Sequence, residues 1–148
     1  MPTALRELAL AAIAARLGTN TTSTVERARR AAVDTKKDTL PHINLLGGDL
    51  SDDITAEPQH THTTLSFTVV GHVRARTDLA AEQALSELHA ATVAALATWE
   101  PAVDGMDTPI HEGAELRLLD AEESEHPVGR FEARFNVLIV APTGTLTA

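Results

Sequence analysis

Cysteine is absent from the 148 residues, which excludes disulfides and thiolate chemistry. Tyrosine is absent as well, and aromatics make up only 3% of the chain, so stacking platforms for bases or sugars are scarce. The core must be built mainly from alanine and aliphatic side chains. No apolar run approaches the roughly 20 residues of a membrane span. The opening Met1-Pro2-Thr3-Ala4-Leu5-Arg6-Glu7 lacks the basic segment and apolar stretch of a secretory signal. These absences point to a soluble protein made and assembled in the cytoplasm. Phosphate-loop, dinucleotide-binding and nucleophile-elbow motifs are also missing. Gly47-Gly48 reads as a strand-ending turn rather than a phosphate cradle.

Charge is plentiful but uneven. Residues 1–48 hold seven Lys/Arg and four Asp/Glu, a balance of +3. Residues 49–148 hold five and seventeen, a balance of −12, and the two sum to the net −9. So acidic a segment argues against wrapping nucleic acid, because phosphate contacts need Lys and Arg. The exception is the basic patch Arg27, Arg29, Arg30, Lys36 and Lys37. It reads as a solvated or subunit-facing strand and turn, with phosphate binding as the alternative.

The length fits one domain spanning 1–148, with 142–148 expected as a flexible tail. Leu5, Leu8, Ala9, Ala12, Ile13 and Leu17 form one apolar stripe and predict a helix over 4–17, capped by Thr3 and ended by Gly18. Thr24 to Val33 reads as a charged strand with Val25, Arg27 and Arg29 on one face. A short strand follows at 40–46, stopped by the two glycines. Residues 49–60 read as an acidic, irregular loop. The strongest strand signal is 61–75, where Leu65, Phe67, Val69, Gly71 and Val73 share one face and His62, Thr64, Ser66, Thr68, His72 and Arg74 the other. At about 3.4 Å per residue it would span roughly 50 Å, so it either bends near Gly71 or outruns its domain. A helix over 78–99, capped by Asp78, presents Ala81, Leu85, Leu88, Thr92, Ala95, Leu96 and Trp99 on one arc. Strands are predicted from Glu115 to Leu119 and from Val128 to Ala141, with an acidic turn at 120–127 between them. The order α-β-β-β-α-β-β implies an α+β fold, an antiparallel sheet with two helices packed on one face.

Candidate chemistry is thin. His60 and His62 point to the same strand face, as a metal-binding pair would, but a third ligand is required and His72 lies far along the strand. They read as surface histidines. Glu122, Glu123 and Glu125 sit in a turn that offers water rather than the apolar pocket an acid–base pair needs. Trp99 reads as core packing, with an interface anchor as the alternative. No catalytic, cofactor-binding or metal-binding residue is assigned, and no cofactor is expected.

Taken in order, several segments resemble the tail-terminator family of long-tailed phages and phage-like gene-transfer particles. They are the short N-terminal helix, Val25-Glu26-Arg27-Ala28-Arg29-Arg30, and Leu40-Pro41-His42-Ile43-Asn44-Leu45 with Gly48-Asp49. The helix with Leu85, Leu88, Val93 and Leu96 follows, then Asp120-Ala121-Glu122 leading through Gly129 into Phe131-Glu132-Ala133-Arg134-Phe135-Asn136-Val137. The resemblance implies a virion structural protein of the tail neck, not an enzyme. It implies a hexameric ring that caps the tail-tube protein, stops its polymerisation and meets the head–tail connector protein, while DNA passes through the lumen without specific binding. Arg27, Arg29 and Arg30 are then candidates for the subunit interface. Another neck or tail-completion protein is the nearest alternative. A small-ligand-binding or enzymatic α+β domain is the more distant one.

Overall fold

The computed structural model describes residues 4–29, 40–53, 59–119 and 126–142. Along them run α1 (Leu5–Asn20), β1 (Thr24–Arg27), β2 (His42–Asp53), β3 (His60–Arg74), α2 (Asp78–Ala97), β4 (Ile110–Leu118) and β5 (Val128–Pro142). The strands form one sheet in the order β1-β2-β3-β5-β4. Its pairings are antiparallel except between β1 and β2, which run parallel. The expected α+β architecture is therefore present, with one parallel pair at an edge.

The period-two pattern of β3 holds through Val69, but from there to Val73 every residue is buried, including His72 on the face expected to be exposed. Leu65, Phe67, Val69 and Val73 are buried, as are Phe131, Ala133, Phe135 and Val137 on β5. Leu85 and Leu88 of α2 join them with Ile13 and Leu17 of α1, in one apolar cluster between the helices and one sheet face. Phe67 and Phe135 are directly opposed across β3 and β5 and stack at 5.3 Å with their rings 7° apart. Trp99 follows α2 and is only partly buried against this core. The 15-residue β3 does not break at Gly71, because it pairs with β5 along its whole length. Glycine is needed there for a close approach: a Cβ at Gly71 would lie 2.2 Å from the Phe131 ring.

Several boundaries differ from expectation. The glycines at 47 and 48 do not stop β2, which continues to Asp53 across a register shift. They bring neighbours close instead. A Cβ at Gly47 would strike the Arg6 guanidinium at 2.4 Å, and one at Gly48 the Ser66 carbonyl at 2.5 Å. Residues 49–53 thus belong to a strand rather than a loop, and Asp52 accepts a 2.7 Å hydrogen bond from the Thr63 hydroxyl. Helix α1 runs through Gly18 to Asn20, where Thr21 caps the Leu17 carbonyl with both its amide and its hydroxyl. Thr77, not Asp78, caps α2, accepting from the Ala80 amide. β1 ends after four residues because Ala28 turns into the left-handed region at φ 55°. β4 starts earlier than expected, at Ile110. Pro142 is the last residue of β5 rather than the start of a tail. The expected features at Thr3, 30–39 (including Lys36 and Lys37 of the basic patch), 54–58, 120–125 and 143–148 lie outside the described residues.

Candidate assembly surfaces

Among the described residues the sheet is bounded by β1 on one side and β4 on the other, and two of the predicted interface residues, Arg27 and Arg29, lie at β1. Val25 packs on the core, so Arg27 shares its helix-facing side and reaches α1, where it donates to the Glu7 carboxylate at 3.0 Å. Arg29 follows the turn at Ala28, and its guanidinium lies 3.5 Å from the Glu26 carboxylate on the opposite sheet face. The side-chain amide of Asn44 clamps that turn by accepting from the Arg29 amide and donating to the Arg29 carbonyl. The structure therefore splits the expected basic patch. Arg27 and Arg29 flank one edge, but on different faces and with acidic partners inside the subunit. Arg30 lies outside the described residues.

At the other edge, β4 is regular beyond a register shift between His111 and Gly113. Its outward-facing positions carry Glu115 and Arg117, and Glu112 accepts from the Asn136 amide. Ile110 and Leu116 are 62% and 42% exposed. Leu116 lines a shallow groove with Glu82, Leu85 and Ser86 of α2. A large apolar side chain beside a carboxylate at a strand edge is the composition of a surface that another chain can cover.

His60 and His62 lie on β3 facing away from the helices, His60 exposed and His62 partly so. Among the described residues, no three His, Asp or Glu side chains gather as metal ligands would. A cleft of about 200 Å³ opens at the end of the sheet between Leu5, Arg6, Leu50, Thr63, Ile139 and Ala141. It is apolar, and Arg6 spends its guanidinium on the Gly48 carbonyl. Such a lining has no acid–base pair to offer.

The perturbed titratable groups lie elsewhere. His42 and His72 are paired across β2 and β3 on the face opposite the helices, yet both are buried. Burial lowers the His72 pKa to about 4, helped by the positive charge of Arg130, by His42 and by Arg29. The Nε2 of His42 lies 3.5 Å from the Glu26 carboxylate. The second pair, His89 and His111, joins α2 to β4 with 3.3 Å between Nε2 atoms. Burial, and then His111, lowers the His89 pKa. The two rings pack against Phe131 and Phe135. These pairs escaped sequence reading because His72 falls on the polar side of an alternating strand and His111 in an apparent loop. His89 carried a signal: it sits four residues after Leu85, on the buried arc of α2.

No family model matches this sequence, and no curated protein matches it. Among solved structures, the chain is similar in fold to a chain described as "Virion of native gene transfer agent (GTA) particle". The TM-score is 0.50 at 15% sequence identity, over 93% of this chain and 92% of the other.

Proposed function

We propose that this chain is a structural subunit of a phage-like tail, acting in the neck as a tail terminator. Copies close into a hexameric ring that caps the tail tube and stops its polymerisation. The ring's other face meets the head–tail connector, and DNA passes through the lumen. The observation that carries this reading is the fold similarity, over 93% of this chain, to a chain of a gene-transfer-agent virion. The order of sequence segments resembling tail terminators supports it. The strong acidity of residues 49–148 suits a channel through which DNA slides without adhering. The role is non-catalytic: the shifted histidines His72 and His89 are locked in packed layers rather than aligned along the apolar cleft. The ring interface uses the β1 edge, where Arg27 and Arg29 face acidic groups of the neighbouring copy.

The test is to omit the protein during tail assembly and image the products. Tubes of unregulated length that fail to join heads are expected. Tubes of normal length that fail to join heads would replace the terminator role with that of another neck protein. Normal tails on filled heads would overturn a neck role altogether.

A further inference from the structure

We infer that the β4 edge of one copy pairs antiparallel with the β1 edge of the next, so that the sheet itself runs from subunit to subunit. This rests on the proposed ring and names the two surfaces that form it. Strand sense is the first argument. β1 is parallel to β2, β2 antiparallel to β3, β3 to β5, and β5 to β4. Hence β1 and β4 run in opposite directions within a subunit. A rotation that carries the sheet onward preserves strand sense, so β4 meets the next β1 in the antiparallel arrangement, the more stable of the two per residue.

The second argument is that the edges are unlike and complementary. β4 offers Glu112 and Glu115 on the strand beside one cation, Arg117, and Glu82 in the adjoining groove. The β1 edge offers Arg27 on the helix side and Arg29 on the other, with Glu26 as the one carboxylate between them. Leu116, on the helix-facing side of β4, would be covered by the next copy's β1 edge. Unlike surfaces joined head to tail are what a closed ring requires, whereas a like-with-like β4 contact would stop at a dimer.

Disulfide trapping tests this directly, because the protein has no cysteine of its own. Thr24 of β1 and Glu115 and Arg117 of β4 are exposed and lie on the same sheet face. The two edges of one subunit are four strand spacings apart, roughly 19 Å, too far for an internal bridge. The double variants Thr24→Cys/Glu115→Cys and Thr24→Cys/Arg117→Cys sample two adjacent registers. Oxidation of concentrated protein should give at least one of them a ladder of bridged multimers larger than dimers, collapsed by reductant. The three single variants should give none. Dimers from Glu115→Cys or Arg117→Cys alone would show β4 pairing with itself and overturn the inference. Mass measurement of the unmodified protein separates the remaining failures. Assembly without a ladder leaves the ring reading standing and removes this interface, whereas monomers without a ladder remove both.

Discussion

Replacing Phe135 by alanine tests the assignment of sheet faces on which the whole architecture depends. The ring is 1% exposed, stacked on Phe67 at 5.3 Å and flanked by His111 at 5.1 Å. Truncation removes the buried ring and leaves a cavity whose walls belong to a paired strand and a helix, so collapse is limited. Large-to-small changes of this kind cost about 3–5 kcal/mol. The lost stacking accounts for about 0.5–1.5 kcal/mol of that beyond simple area. Against a total stability of about 5–15 kcal/mol, the loss is large. For a chain of this length it should lower Tm by roughly 6–20 °C. Urea unfolding followed by far-UV circular dichroism should show a lower midpoint at unchanged slope, with Phe135→Leu losing less than Phe135→Ala. A loss under about 1 kcal/mol for Phe135→Ala would mean that this face of β5 is not the core face.

Two further outcomes are expected. His72 has a folded-state pKa near 4 against 6.5 when unfolded, so between those values the unfolded chain binds more protons and stability falls as pH falls. The depressed pKa corresponds to about 3 kcal/mol lost from pH 6.5 down to pH 4. His72→Gln should flatten that part of the stability–pH curve, and an unchanged slope would refute the burial argument. Charge reversal with Arg27→Glu and Arg29→Glu should weaken assembly and make it more sensitive to salt while the subunit stays folded. The Arg27–Glu7 pair lost inside the subunit is exposed enough to be worth only about 0–1 kcal/mol. Light scattering and circular dichroism across a salt series separate the two effects, and unaltered assembly would remove these arginines from the interface.

Periodicity was enough to identify most of the buried side chains on β3, β5 and the two helices, though not Leu10 of α1 or His72 of β3. Alternation and the helical stripe record one thing, whether a side chain meets water or the apolar layer, and Leu65, Phe67, Phe135, Leu85 and Leu88 meet that layer as read. Element order followed, and with it the α+β class. The arginines at the β1 edge were legible as a charged segment, but their partners were not, since Glu7 is brought to Arg27 only when α1 lies across β1. The remaining features depend on what approaches each residue from other elements. Gly47 and Gly48 interrupt a strand or let it continue according to what approaches them, and Arg6 and the Ser66 backbone come from α1 and β3. His72 reads as exposed along its own strand and becomes buried through neighbours such as His42, which β2 places opposite it. Which strands bound the sheet, and in which direction each runs, is a property of strand order. Hydrogen-bond register between distant segments sets that order, and a local pattern of period two carries no information about it.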